Sequence, residues 1–312
     1  MLQDTTLSIP FDILDMPSSF GFPWNQLTRL IMESVINFRI FNNIIIQCRN
    51  LVHGSFTIDV DLWSDRPTIE ILDPIVFPNL LALQLRVNGV NDEILELQNT
   101  MRMLVFPSIK LFELSYSGLR LDLSLSAAVP SLYPHSTVST IPLTCLVLAN
   151  VMFIPVELLT LLGACTALEK FAFEPWSDNI QEILADLVEP SCDIPVPSLP
   201  NLTSFALVID HGDFRIRALL QTVANLVQAW ASNPERRRPL ESIMVYNYEN
   251  NPFRTGHAIL VLEELRDLLG PWTWKDDCLA IAESGMVLQT RVVSDPFSLS
   301  KELDWFKECG SI

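Results

Sequence analysis

Residues 77–90 read FPNLLALQLRVNGV, with Leu80, Leu83 and Leu85 spaced as LxxLxL and with Asn88 and Val90 completing an LxxLxLxxNxV run. Leucines at that spacing fill an interior from one extended strand, because alternate side chains of a strand leave opposite faces. The Asn side chain can satisfy backbone groups where the chain turns away from the strand. The tract is introduced by Phe77 and Pro78, and the same form recurs. Its copies are PWNQLTRL (23–30), CRNLVHGSF (48–56), FPNLLALQL (77–85), FPSIKLFEL (106–114), IPLTCLVL (141–148), CTALEKFAF (165–173), LPNLTSFAL (199–207) and RRPLESIMV (237–245). Aligned by first core residue, the series is Leu27, Leu51, Leu80, Ile109, Leu143, Leu168, Leu202 and Leu240.

A strand tract returning in this way is the mark of a leucine-rich repeat, whose regular period is about 20–29 residues. Here the spacing drifts from 24 residues between the first two tracts to 38 between the last two, which leaves room for helices and loops on the outer side. The expected fold is therefore α/β: an irregular, horseshoe-like solenoid with parallel strands on the concave face and helices and loops on the convex face. Pro155 suits the first position of a helix over VELLTLLGAC. Asp213 can cap FRIRALLQTVANLVQAW, and Thr255 can cap GHAILVLEELRDLL, which stops at Gly270-Pro271. Segments 32–47 and 178–188 are also read as helices. Residues 1–22 form a Pro-punctuated lead-in, 23–290 the repeat unit and 291–312 a tail with an amphipathic helix, SLSKELDWFKEC. CLAIAESGMVLQTRV, just before the tail, reads as a last helix and strand. A solenoid grows by addition, so 312 residues fit one folded unit.

Hydrophobic residues make up 49% of the chain and charged residues 18%, which argues against extensive disorder, and the formal net charge is -17. A nucleic-acid surface needs clustered Lys and Arg. The basic run Arg236-Arg237-Arg238, between Pro234 and Pro239, reads instead as a solvated loop. No Asp, Glu, Lys or Arg occurs between Leu123 and Val156, long enough to cross a bilayer, but Pro130, Pro134, Pro142 and Pro155 break any helix there. That stretch is read as a buried strand plus loop, with no membrane span. After Met1 come Leu2, Gln3 and Asp4, without the basic start and apolar core of a secretion signal. The six scattered cysteines contain no CxxC, as in a reduced, cytoplasmic or nuclear protein. Cys48 and Cys165 each precede a tract by three residues, a place for a small buried side chain. Asn201-Leu202-Thr203 matches a glycosylation sequon, but Leu202 occupies a core slot.

The third, fifth and seventh residues of each tract are expected on the concave face. Charge there is balanced: Arg29, Arg86 and Lys170 against Glu33, Glu113 and Glu174. With His53, Gln84, Met244 and Tyr246, these form the expected protein-binding surface, and Arg29, Arg86 and Tyr246 are the residue types that dominate interfaces. Replacing Leu83 or Leu85 is expected to destabilise the fold, and replacing Gln84 or Arg86 to alter binding instead. No catalytic, cofactor-binding or metal-binding residue is expected. The chain lacks GxSxG, HExxH and a phosphate-cradling glycine loop. Asp210-His211-Gly212-Asp213 groups two carboxylates and an imidazole, but reads as a strand-to-helix turn with Asp213 as the cap.

The succession WNQLTRL, QCRNLVHGSFTIDV, FPNLLALQL, FPSIKLFELSY, IPLTCLVL and LPNLTSFALVI, followed by a long helix and LVQAWASNPERRRPLESIMV, resembles the repeat portion of the F-box proteins of mushroom-forming fungi, over roughly residues 23–290. The resemblance implies a non-enzymatic, monomeric substrate-receptor arm of a cullin-type ubiquitin ligase, with the repeats holding the target protein. In that family the F-box docks onto the ligase adaptor. Here Ile9-Pro10-Phe11-Asp12-Ile13-Leu14 gives a faint echo of its opening, so adaptor binding is expected only if an F-box lies upstream. The alternative is an F-box-less scaffold or inhibitor unrelated to ubiquitin.

Overall fold

Arg29, His53, Ala82, Leu111, Cys145, Lys170, Ser204 and Ser242, the third residues of the eight tracts, are successive partners across neighbouring parallel strands. The computed structural model describes residues 5–7, 23–60, 74–89, 94–116, 141–149, 151, 155–174, 180–187, 199–210, 222–223, 225–226, 229–230, 237, 241–248, 272–275, 278–281 and 287–293. Among these, the strands in chain order are β1 (Thr5–Leu7), β2 (Arg29–Asn37), β3 (His53–Asp59), β4 (Ile75–Val76), β5 (Ala82–Asn88), β6 (Leu104–Val105), β7 (Leu111–Tyr116), β8 (Cys145–Ala149), β9 (Lys170–Glu174), β10 (Ser204–Asp210), β11 (Ser242–Tyr248), β12 (Trp272–Lys275), β13 (Cys278–Ile281) and β14 (Val287–Val293). Twelve of them form one sheet in the order β1-β2-β3-β5-β7-β8-β9-β10-β11-β14-β13-β12. Pairing is parallel from β1 to β14, and β13 and β12 are added antiparallel. The protein is thus a mixed α/β structure around a mostly parallel sheet.

Parallel neighbours require the chain to return to its starting end between strands. Helices α1 (Phe38–Gln47), α2 (Ile94–Met103), α3 (Pro155–Ala164) and α4 (Ile180–Asp186) lie on those returns. Asn37 ends β2 and starts α1, its Oδ1 accepting from Ile40 N at 2.8 Å and meeting one of the donors that a helix N-terminus leaves unpaired. Phe41, Ile44 and Ile45 of α1, Leu97 and Met101 of α2, Leu158 and Leu162 of α3, and Ile183 and Leu184 of α4 join one core with the even rows of the sheet. Those rows include Leu30, Leu83, Phe112, Leu146, Phe171 and Phe205, and behind them Met32, Phe56, Leu85, Leu114, Leu148, Phe173 and Leu207. Each such side chain contributes about 1.5–3 kcal/mol by leaving water.

Three local devices repeat along the sheet. First, the N–H of the first core residue bonds back three residues, as in Leu27 to Trp24, Leu51 to Cys48, Leu80 to Phe77, Ile109 to Phe106, Leu168 to Cys165 and Leu202 to Leu199. The acceptor residue is buried each time, so one turn both orients the strand and plugs the core beneath it. Second, the carbonyl at position two of each tract accepts two N–H groups from the next tract: Thr28 from Val52 and His53, Val52 from Leu81 and Ala82, and so on to Thr203 from Glu241 and Ser242. Third, the polar residue before the first core position reaches across. Asn50 Nδ2 donates to Asn25 O at 2.7 Å, Ser108 Oγ to Pro78 O at 2.8 Å and Asn201 Nδ2 to Thr166 O at 2.8 Å. The Asn201 amide therefore serves as a rung, and Leu202 is fully buried, in agreement with setting the sequon aside.

Several expectations are corrected. Glu33 does not hold the seventh-residue row: β2 and β3 shift register between Met32 and Val35, so Val35 stands opposite Thr57 and two residues are inserted. Such a bulge is invisible to counting along one strand. Segment 32–47 is strand as far as Asn37 and helix thereafter. The expected helix in CLAIAESGMVLQTRV is instead strand β13, and β14 runs across residue 290, continuing the common row with Ser242 opposite Val287. Within the lead-in, Thr5–Leu7 pairs with β2 as an edge strand. Helix α2 and the small β4–β6 pair had no counterpart in the sequence reading. Helix α3 starts at Pro155 as expected, and residues 145–149 of the uncharged stretch form the buried strand β8. The helices expected at 255–269 and 298–309, and the cap at Asp213, fall outside the described residues. Val223, Leu226 and Trp230 of the expected helix at 214–230 are buried in the core. Among the described residues, no helix is long and apolar enough to cross a membrane.

Gly54 occupies a core row where neighbours bear leucine and phenylalanine. A Cβ there would lie 2.9 Å from Leu51 Cδ2 and 2.9 Å from Phe56 Cε2. Two stability outcomes follow. Leu85→Ala is expected to lower unfolding free energy by about 2–5 kcal/mol, and Gly54→Val to cost about 1–3 kcal/mol by overpacking. Urea titrations followed by circular dichroism check both, and an unchanged midpoint for either would place that residue off the core face.

Candidate functional site

The sheet face opposite the core divides into three parts. On β2 and β3, Arg29, Ile31, His53, Ser55 and Thr57 are half-buried. In the middle the side chains are withdrawn from solvent: Ala82 and Gln84 on β5, Leu111, Glu113 and Ser115 on β7, Cys145, Val147 and Ala149 on β8, Ala172 on β9 and Ala206 on β10. Beyond them Lys170, Glu174, Ser204, Ser242 and Met244 are again half-buried. Tyr246 lies on the same row as Arg86, Ser115 and Ala149 by register, and its side chain is outside the described part. Parallel sheets generally have both faces covered, and β7 and β8 follow that rule with every residue buried.

A polar chain crosses this buried centre. Ser55 Oγ donates to Gln84 Oε1 at 2.5 Å, and Gln84 Nε2 donates to Glu113 Oε2 at 2.7 Å. The other oxygen, Glu113 Oε1, lies 3.6 Å from Arg86 Nε, an ionic contact longer than a hydrogen bond. The Glu113 side chain is 3% exposed and that of Arg86 22%, so the pair sits where the chain's interior meets water. These four residues come from three adjacent strands: Ser55, Gln84 and Glu113 share one row, and Arg86 stands one row further on, opposite Ser115. Ser115, one row further on and 2% exposed, keeps its Oγ without a hydrogen-bond partner.

Gln84 and Glu113, expected as partner contacts, are therefore buried and hydrogen-bonded to each other, which leaves Arg86 as the solvent-facing end of their network. Its burial also bears on the expectation that replacing Gln84 alters binding and not stability, because removing it would take away the hydrogen bonds that link it to Ser55 and Glu113. A signal for this burial was present in the sequence. Positions assigned to the exposed face carry Leu111, Cys145, Val147 and Ala149, so β7 and β8 are nearly continuous apolar runs, the pattern of a strand covered on both sides. Ser55 and Ser115 gave no signal, since serine suits either environment.

Among the described residues no three of His, Cys, Asp and Glu gather as metal ligands. Asp210 closes β10, whereas His211 and Asp213 lie outside the described part. Cys48 and Cys165 are buried at the ends of α1 and α3, each N–H bonding to two carbonyls of the last helical turn. Loss of solvation raises both thiols from an ordinary value of 9.0 to about 12, so neither is a nucleophile at neutral pH.

Glu113→Ala is expected to cost about 3–5 kcal/mol, because it leaves Gln84 and Arg86 without their carboxylate. Thermal melts check this, and a loss no larger than that of an exposed Glu→Ala change would rule the network out as a stabilising element. The thiols make a pH prediction with a definite sign. Below pH 9 they are protonated whether the chain is folded or not, so their contribution is fully present there. Between pH 9 and about 12 only the unfolded chain loses these protons, and stability falls. Urea midpoints at pH 8 and pH 10.5 should fall less in a Cys48→Ala, Cys165→Ala variant than in the natural chain. No protein-family model matches the sequence, and no curated protein matches it either.

Proposed function

We propose that the chain is an irregular leucine-rich-repeat solenoid that recognises another protein on its strand-bearing, concave side. In this reading it acts without catalysis as the substrate-receptor arm of an F-box-type subunit of a cullin ubiquitin ligase. The observation that carries the reading is the common row running through consecutive tracts in chain order, since a repeat stack is a chain of nearest-neighbour units. Each connection between strands belongs to one tract, and the rows they create form a continuous surface. Fold does not fix function. The ligase assignment rests on the sequence likeness, and adaptor docking requires an F-box upstream of the repeats. The protein is a monomer of the cytoplasm or nucleus that binds neither nucleic acid nor membrane, uses no cofactor and meets its target through the two half-buried flanks. Arg29 and His53 mark one flank, and Lys170, Glu174 and Met244 the other, with the buried centre holding the two at fixed distance. A few such residues carry most of the affinity of a protein interface.

The test is co-purification from cells with the proteasome inhibited, using the chain joined to any upstream coding sequence. The expected result is a ubiquitylated target together with the ligase adaptor. Arg29→Glu or Lys170→Glu should weaken the target at least tenfold, about 1.4 kcal/mol, while the adaptor stays bound. A target recovered without adaptor or ubiquitin would replace the ligase assignment by a scaffold. No target at all, with the variants behaving as the natural chain, would overturn recognition on this face.

A further inference from the structure

Arg29 opens β2 on the flank of the face opposite the core, and its Nε is shielded from solvent without a hydrogen-bond acceptor. A guanidinium has five N–H donors in a planar fork and accepts nothing, so an oxygen must be brought to it, and a carboxylate matches two of its donors at once. A shielded donor without an acceptor is costly, and such sites commonly mark where something else completes the structure. The chain does not lack carboxylates: it carries 37 Asp and Glu against 20 Lys and Arg. Among the described residues none is hydrogen-bonded to this nitrogen. Among the described residues its neighbours on the face are His53 across the rung, Ile31 and Ser55 one row on, and Thr6 of β1 opposite Ile31, none of them acidic. Ser55 directs its hydroxyl proton to Gln84, and the Glu113 carboxylate two strands beyond β3 is engaged by Gln84 and Arg86.

We propose that Arg29, with His53 beside it, receives an Asp or Glu carboxylate from an acidic stretch of the bound protein, with Ile31 offering an apolar seat to the residue next to that carboxylate. The inference deepens the recognition reading above and rests on it. One guanidinium and one imidazole match one or two carboxylates. A nucleic-acid backbone would need many more cations, and the net charge of -17 would repel it.

The experiment uses the full chain and three fluorescein-labelled hexapeptides, Gly-Leu-X-X-Leu-Gly blocked at the free end, with X as Glu, Gln or phosphoserine, read by fluorescence anisotropy at low ionic strength. The Glu peptide is expected to bind at least tenfold more tightly than the Gln peptide. Arg29→Gln should erase that preference, Arg29→Lys should retain part of it, and His53→Gln should reduce it severalfold. Equal binding of the Glu and Gln peptides to the natural chain would overturn the proposal without need of any variant, as would a preference that survives Arg29→Gln. Phosphoserine binding tenfold tighter than Glu would overturn the carboxylate assignment in favour of phosphate. If the co-purified target is lost with Lys170→Glu but retained with Arg29→Gln, this anchor fails while recognition on the face stands.

Discussion

Seven carbonyl groups, those of Thr28, Val52, Leu81, Lys110, Thr144, Glu169 and Thr203, each accept two N–H groups from the following tract, at 2.7–3.1 Å. These paired bonds lock where each strand begins against its neighbour, and everything beyond them depends on that register. Side chains of a strand alternate between faces, so a slip of one residue would exchange the leucine and phenylalanine rows with the polar ones. Thr144 and Thr203 strengthen two of the rungs, donating their hydroxyls at 3.1 Å to the same carbonyls as their own N–H groups. The turn that ends at each first core residue fixes the approach, and the buried residue at its start closes the core below.

With the register set, the two faces take different roles. One gathers the aromatic and leucine rows with the helices into a continuous apolar core, including the edge-to-face contact of Phe41 with Phe56 and that of Phe205 with Trp230. The other places Ser55, Gln84 and Glu113 in one row, where each donates to the next and the carboxylate ends the chain. A buried carboxylate is tolerated because Gln84 reaches it by hydrogen bond and Arg86 by charge. A one-residue slip of β5 against β7 would break both contacts. The polar row therefore specifies strand pairing as well as stabilising it.

The same row separates the two flanks on which the proposed recognition depends. Between them small and apolar side chains are withdrawn from solvent, and outside them charged and polar groups stay half-buried. The balanced charge expected on this face is divided accordingly: the Arg86 and Glu113 pair cancels within the centre, and Arg29 is left at one end. On the proposed reading, the Arg29 corner of this acidic chain would hold a short acidic segment while the net charge of -17 repels polyanions.

Sequence alone was sufficient for the repeating tract, its eight aligned starts and the side of each strand that enters the core, because these follow from period-two alternation and from turn chemistry that acts over a few residues. Cys48 and Cys165 were placed for the same reason, each one turn before a core position. The bulge after Met32, the burial of Gln84 and Glu113, the strand at Cys278–Ile281 and the ninth aligned strand at Val287 were settled by tertiary structure. Each depends on what lies beside the segment in space. A bulge is defined only against its partner strand, and a glutamine or glutamate is exposed or buried according to what neighbouring strands bring within hydrogen-bond reach. A short apolar run such as CLAI has no period of its own long enough to separate strand from helix. Local pattern decides which way a side chain points, and assembly decides whether water is waiting there.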